Sequence, residues 1–126
     1  MYLSYVGIRV MDLNQSLKFY MGLFGLREVS RGDNQPAGGG VYVLLRDKRS
    51  GQKLELNWYP EGSPFGTPYS AGEGLDHVAF RVESVPETLE RLAKHGVEII
   101  QIPSPLREPD PGVMVAYVKD PDGNWI

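Results

Sequence analysis

The chain has 126 residues, 41% hydrophobic and 23% charged, with a formal net charge of −3 and no cysteine. That is one domain's worth of chain, long enough to bury a real core, and it excludes a disulfide framework and thiolate chemistry. The scattered Lys and Arg give no basic footprint for nucleic acid or a phosphate-rich partner, and no apolar run approaches the length of a membrane span.

Residues 3–10 read as a strand of slightly blurred alternation. Val6, Ile8 and Val10 fall on the face turned to a helix, and Tyr5, Gly7 and Arg9 on the other. Asp12 then caps a helix, with Gln15 three residues on completing a capping-box pattern. Leu13, Leu17, Tyr20 and Phe24 follow at helical spacing, and Gly25 is a C-terminal stop. Three strands are predicted near 26–31, 41–46 and 53–59, between clusters of Gly, Pro, Asn and Ser. On the last of them Lys53, Glu55 and Asn57 share one face. Residues 60–74, rich in Gly, Pro and Ser, connect this half to the next and are long enough to cover a site as well.

The second half repeats this order. Residues 75–82 make a strand with Val78, Phe80 and Val82 toward the helix and His77, Ala79 and Arg81 facing the other way. Ser84 and Glu87 form the capping pattern, Pro86 sits in the first turn, and Val85, Leu89, Leu92 and Ala93 make the apolar stripe. Gly96 ends the helix. Strands are predicted near 97–102 and 113–119, with Asp120-Pro121-Asp122-Gly123 as a turn before a last strand beginning at Asn124.

A shift of 72 residues lays one half on the other. Leu3, Val6, Arg9, Val10 and Leu17 meet Leu75, Val78, Arg81, Val82 and Leu89, and Gly40, Val41, Val43 and Gly51 meet Gly112, Val113, Val115 and Gly123. The expectation is an α+β fold of two βαβββ modules, residues 1–59 and 75–126, joined by the connector within a single domain. A lone module would expose one face of its sheet. The two therefore pair their sheets into a partly open barrel, helices outside, with Tyr5, Arg9, Glu55, Asn57, His77 and Arg81 on its inner face.

The same shift puts Tyr5 on His77 and Glu55 on position 127, one residue past Ile126. Four equivalent positions converging on a pseudo-twofold axis suit a metal ion. A carboxylate at Glu55 and an imidazole at His77 fit Zn²⁺, Ni²⁺, Co²⁺ or Fe²⁺. The competing readings are a hydrogen-bonded core histidine and an ion pair of Glu55 with Arg9 or Arg81. Tyr5 is a poor ligand as a neutral phenol, whose ordinary pKa is about 10. It is read instead as a hydrogen-bond donor to substrate or bound water, or as packing. Arg9 and Arg81 can fork onto a ligand carboxylate or pair with an internal acid. Asn57 can orient a polar ligand, Trp58 reads as outer core, and His95 suits a helix C-terminus.

These stretches resemble the vicinal-oxygen-chelate superfamily, and within it the glyoxalase I (lactoylglutathione lyase) branch. The carriers are Ile8-Arg9-Val10-Met11-Asp12-Leu13, Ser16-Leu17-Lys18-Phe19-Tyr20, Leu23-Phe24-Gly25-Leu26 and Leu54-Glu55-Leu56-Asn57. Asp76-His77-Val78-Ala79-Phe80-Arg81-Val82 and Asp120-Pro121-Asp122-Gly123 complete them. The resemblance implies Glu55 and His77 as metal ligands, a fourth ligand at position 127, and Tyr5 where many glyoxalases carry a histidine. It implies that Arg9 contacts a carboxylate of a glutathione moiety, with Zn, Ni or Co as the metal and glutathione or another thiol as co-substrate. The implied reaction turns the thiol hemithioacetal of a 2-oxoaldehyde into a 2-hydroxyacyl thioester through an enediolate, with Glu55 as a candidate base. Alternatives within the resemblance are a thioester epimerase and a metal-free binding protein of the bleomycin-resistance type. An extradiol dioxygenase would need a histidine at Tyr5. The remaining expectations are a homodimer acting on a small molecule, without nucleic acid or membrane, in the cytoplasm. That location follows from the absence of Cys and from a start (Met1-Tyr2-Leu3-Ser4) unlike a signal peptide.

Overall fold

The computed structural model describes residues 4–34, 38–68, 70, 72–73, 75, 77–105 and 114–126. The chain is a small α+β protein that divides into two compact units, Met1–Tyr69 and Ser70–Ile126.

In the first unit, strand β1 (Val6–Arg9) leads into α1 (Leu13–Leu17). Asp12 caps this helix: its Oδ1 accepts from the Gln15 backbone N–H at 3.0 Å and its Oδ2 from the Gln15 side-chain amide at 3.1 Å. The capping pair therefore closes on the carboxylate itself. The helix then widens into a π turn, Lys18–Leu23, which a 3.6-residue period does not foresee. Phe24 N–H donates to Phe19 O, five residues back, at 3.3 Å. The wider turn lets the Phe19 and Phe24 rings stack at 4.9 Å, with Tyr20 edge-on to Phe19 at 5.1 Å. The buried face consequently moves to Ser16, Phe19 and Tyr20, while Leu13, Leu17 and Phe24 of the expected stripe are half-buried.

Strands β2 (Arg27–Asp33), β3 (Val41–Arg46) and β4 (Lys53–Trp58) form an antiparallel meander. β1 lies parallel to β4, giving the order β1-β4-β3-β2. Alternation divides the two faces. Ile8, Val43, Leu45, Leu54 and Leu56 are all buried on one face, where α1 packs against β4; such side chains each contribute about 1.5–3 kcal/mol when fully buried. Gly7, Arg9, Tyr42, Glu55 and Asn57 occupy the other face.

In the second unit, α2 (Val85–Lys94) starts at Ser84, whose Oγ accepts from Glu87 N–H at 3.4 Å, and Pro86 lies in its first turn. Leu89 and Leu92 are buried, whereas Ala93 of the expected stripe is exposed. Strand β5 (Ile99–Pro105) pairs antiparallel with β6 (Met114–Val118), and the pairing slips twice, between Ile99 and Gln101 and between Gln101 and Ser104. Pro103 and Pro105 have no N–H to give this ladder. Trp125 then bridges on both sides, antiparallel to Lys119 and parallel to His77.

The strand expected over 75–82 narrows, among the described residues, to that His77 bridge and a bond from Val78 N–H to Trp125 O at 3.0 Å.

The registers refine the 72-residue shift. It carries Tyr5 and Lys53, the neighbours of the Val6–Leu54 pair, onto the bridged pair His77 and Trp125. On β6 the shift is 73 instead. Residues 47–52 lie between the paired Arg46 and Lys53, but only residues 120–124 lie between Lys119 and Trp125. A turn shorter by one residue therefore moves Leu45 onto Val118 and Val43 onto Ala116, not onto Val115. Gly112 and Val113 lie outside the described residues.

Candidate functional site

Glu55 stands in the middle of β4, half-buried, on the face opposite the core. Its strand neighbours are Gly7 on β1 and Leu44 on β3. Asn57 Nδ2 donates to Glu55 Oε1 at 3.2 Å, and both side chains lean over Gly7. A Cβ there would lie 3.2 Å from Asn57 Nδ2 and 3.7 Å from Glu55 Oε1, so only glycine leaves this space open. Within its unit and among the described residues Glu55 makes no ion pair, so the ion-pair reading with Arg9 finds no support there.

Asn57 is itself held from behind. Asn34 Nδ2 donates to Asn57 Oδ1 at 3.0 Å and lies 3.5 Å from Tyr59 Oη. Arg9 is opposite Asn57 in the β1–β4 register. Its Nη1 donates to Phe65 O at 2.8 Å and Thr67 Oγ1 at 3.1 Å, tying the start of the connector to the sheet. Phe65 in turn stacks on Tyr59 at 5.2 Å. Tyr5, just ahead of β1, is 47% exposed.

In the second unit His77 is exposed, with its ring edge-on to Tyr117 at 5.7 Å; Tyr117 is tilted against Trp125 at 5.3 Å. The bridge to Trp125 fixes the His77 backbone. Trp125 is placed by the turn before it: Asp120, 5% exposed, accepts from the backbone N–H of Asp122 at 3.0 Å and of Asn124 at 2.8 Å, and from Asn124 Nδ2 at 2.9 Å. Arg81 lies beyond the bridge and is exposed.

The first unit therefore brings Glu55, Asn57 and Arg9 onto one sheet face, while His77 and Arg81 belong to the second. Among the described residues no three His, Asp or Glu side chains gather into a metal cluster. Carboxylates such as the half-buried Glu55 and imidazoles such as the exposed His77 are each donor types that borderline divalent ions accept. Sequence reasoning missed Asn34, Tyr59, Tyr117 and the aromatic role of Trp125. Asn34 sits in the run Gly32-Asp33-Asn34, which reads as turn punctuation, and only the β2–β3–β4 register brings it to Asn57.

Compared with known proteins, residues 2–126 match the family described as Glyoxalase/Bleomycin resistance protein/Dioxygenase superfamily. A probable lactoylglutathione lyase of Synechocystis sp. is 29% identical over 131 residues, spanning 100% of this chain and 92% of that protein. The lactoylglutathione lyase of Neisseria meningitidis serogroup A is 30% identical over 130 residues, spanning 100% of this chain and 88% of that one. Among solved structures, the trypanothione-dependent glyoxalase I of Leishmania major superposes with a TM-score of 0.72 at 29% identity, covering 99% of this chain and 84% of that chain.

Proposed function

We propose, for a chain that belongs to the Glyoxalase/Bleomycin resistance protein/Dioxygenase superfamily, a metal-dependent lyase or isomerase of the glyoxalase I type. Its substrate is the hemithioacetal formed by a 2-oxoaldehyde with glutathione or a related thiol. The observation that carries this reading is Glu55: a half-buried carboxylate on the sheet face opposite the core, held by Asn57 and without an ion pair among the described residues of its unit.

In this reading the sheets of the two βαβββ modules pair into a partly open barrel, and Glu55 and His77 hold one divalent ion, Zn, Ni or Co. When bound, the ion supplies positive charge that stabilises an enediolate. Glu55 moves the proton. Its carboxylate takes a proton from the carbon bearing the sulfur and hydroxyl, and the electron pair shifts toward the neighbouring carbonyl. The proton returns to that neighbouring carbon while the hydroxyl proton of the sulfur-bearing carbon passes to the former carbonyl oxygen, leaving a 2-hydroxyacyl thioester with no net change in oxidation level. Asn57 fixes the carboxylate by donating to Oε1. Tyr5, Arg9, Asn57 and Arg81 line the substrate side, Tyr5 as a hydrogen-bond donor and the arginines toward ligand carboxylates. The protein acts as a homodimer.

Tyr5 favours a second reading, a metal-free binding protein, because a phenol stands where many glyoxalases have an imidazole. Purified protein reloaded with Ni²⁺ or Zn²⁺ and assayed for thioester formation separates the two. Metal-dependent turnover supports the lyase; an ion-free protein without turnover overturns it.

A further inference from the structure

We infer that Asn34 is a positioning residue for Glu55, acting through the amide of Asn57; this rests on the role proposed above for Glu55. The polarity of the chain is dictated by its end. An ionised carboxylate only accepts hydrogen bonds, so Asn57 must present its NH₂ group to Glu55 Oε1, as it does at 3.2 Å. That orientation leaves Asn57 Oδ1 pointing away, and an acceptor there needs a donor. Asn34 Nδ2 supplies it at 3.0 Å. An aspartate at this position would have no proton to give and would draw the Asn57 NH₂ toward itself, turning the amide oxygen onto Glu55.

Asn34 is anchored by its own backbone, independently of the chain it terminates. Its N–H donates to Gly40 O at 3.1 Å, and its carbonyl accepts from Gly39 N–H at 3.1 Å. Gly40 lies against the end of β4. Gly40 has φ +107, and a Cβ on it would run into Trp58 O. The backbone bonds to Gly39 and Gly40 thus hold Asn34 beside β4, and the remaining proton of its amide is directed to Tyr59 Oη at 3.5 Å. Two fixed backbones bracket one rotatable amide, and Asn34 decides which way that amide faces.

The test needs no metal and no turnover. In ¹⁵N-labelled, metal-free protein, relaxation of the Asn57 side-chain amide gives a wild-type order parameter in the rigid range, about 0.8, falling below about 0.6 in Asn34→Ala. Tyr59→Phe, which removes only the longer contact, leaves the Asn57 value unchanged. A merely structural Asn34 would alter backbone spectra without freeing this one amide. A rigid Asn57 amide in a folded Asn34→Ala protein overturns the inference, as does a mobile one in the wild type, which requires no variant to fold. In metal-loaded protein the expected companion effect is about a tenfold fall in kcat with little change in KM. If the protein proves to have no metal-dependent activity while Asn57 behaves as described, the lyase reading falls and the positioning chain stands.

Discussion

Replacing Asp120 by alanine should destabilise the second unit far more than the matching change in the first. The Asp120 carboxylate accepts two backbone N–H groups and the Asn124 amide, at 2.8–3.0 Å, with Asp120 5% and Asn124 2% exposed. Three such bonds at about 1 kcal/mol each give about 3 kcal/mol. Asp47 in the corresponding turn accepts from Arg49 N–H at 2.6 Å and Ser50 N–H at 2.9 Å, but those donors are exposed and water replaces the carboxylate. Asp47→Ala should therefore cost about 1 kcal/mol. Each unit holds one of the two tryptophans, Trp58 or Trp125. Urea unfolding followed by Trp125 fluorescence in a Trp58→Phe background reads the second unit directly. An Asp120→Ala loss no larger than that of Asp47→Ala would refute the argument that this cradle fixes the strand beside His77.

Gly40→Ala should destabilise by about 2–3 kcal/mol, because φ +107 and the Trp58 carbonyl both oppose a side chain. Gly62→Ala, at φ +87 in open space, should lose only about 1 kcal/mol in the same denaturation assay. The stability conferred by Asp47 should depend on acid. Ser50 N–H chiefly holds its carboxyl below the ordinary range, burial opposes, and Arg49 N–H adds to the lowering. A depressed folded pKa means a contribution fully present above the unfolded value and lost as pH falls through the folded one. The wild-type advantage over Asp47→Asn should thus hold at neutral pH and vanish in acid; an advantage that persists in acid contradicts this.

Much of the local structure was legible because its causes are local. Asp12 and Ser84 cap helices where the spacing placed them, Gly25 and Gly96 end them at φ +74 and +77, and β3 occupies the residues expected for it. The π turn was not legible, since its bond from Phe24 back to Phe19 and the stack of their rings follow no 3.6-residue period. Nor was the one-residue-shorter turn at Asp120, because the sequence shift holds at 72 on either side of β6 and hides the local slip. For the candidate site, Glu55, Asn57 and Arg9 could be assigned to one face by alternation alone. Asn34 and the Tyr117–Trp125 pair required a register, which no residue-by-residue pattern supplies.

In the proposed lyase Glu55 and His77 hold one ion together. Co²⁺ titrated into metal-free protein tests this most directly by proton NMR, because His77 and His95 are the only two histidines. One paramagnetically shifted imidazole, assigned to His77, is expected at one ion per chain, with affinity about 10-fold or more weaker in Glu55→Gln and His77→Gln. Two unshifted imidazoles at saturating Co²⁺, or binding indifferent to both substitutions, would contradict it.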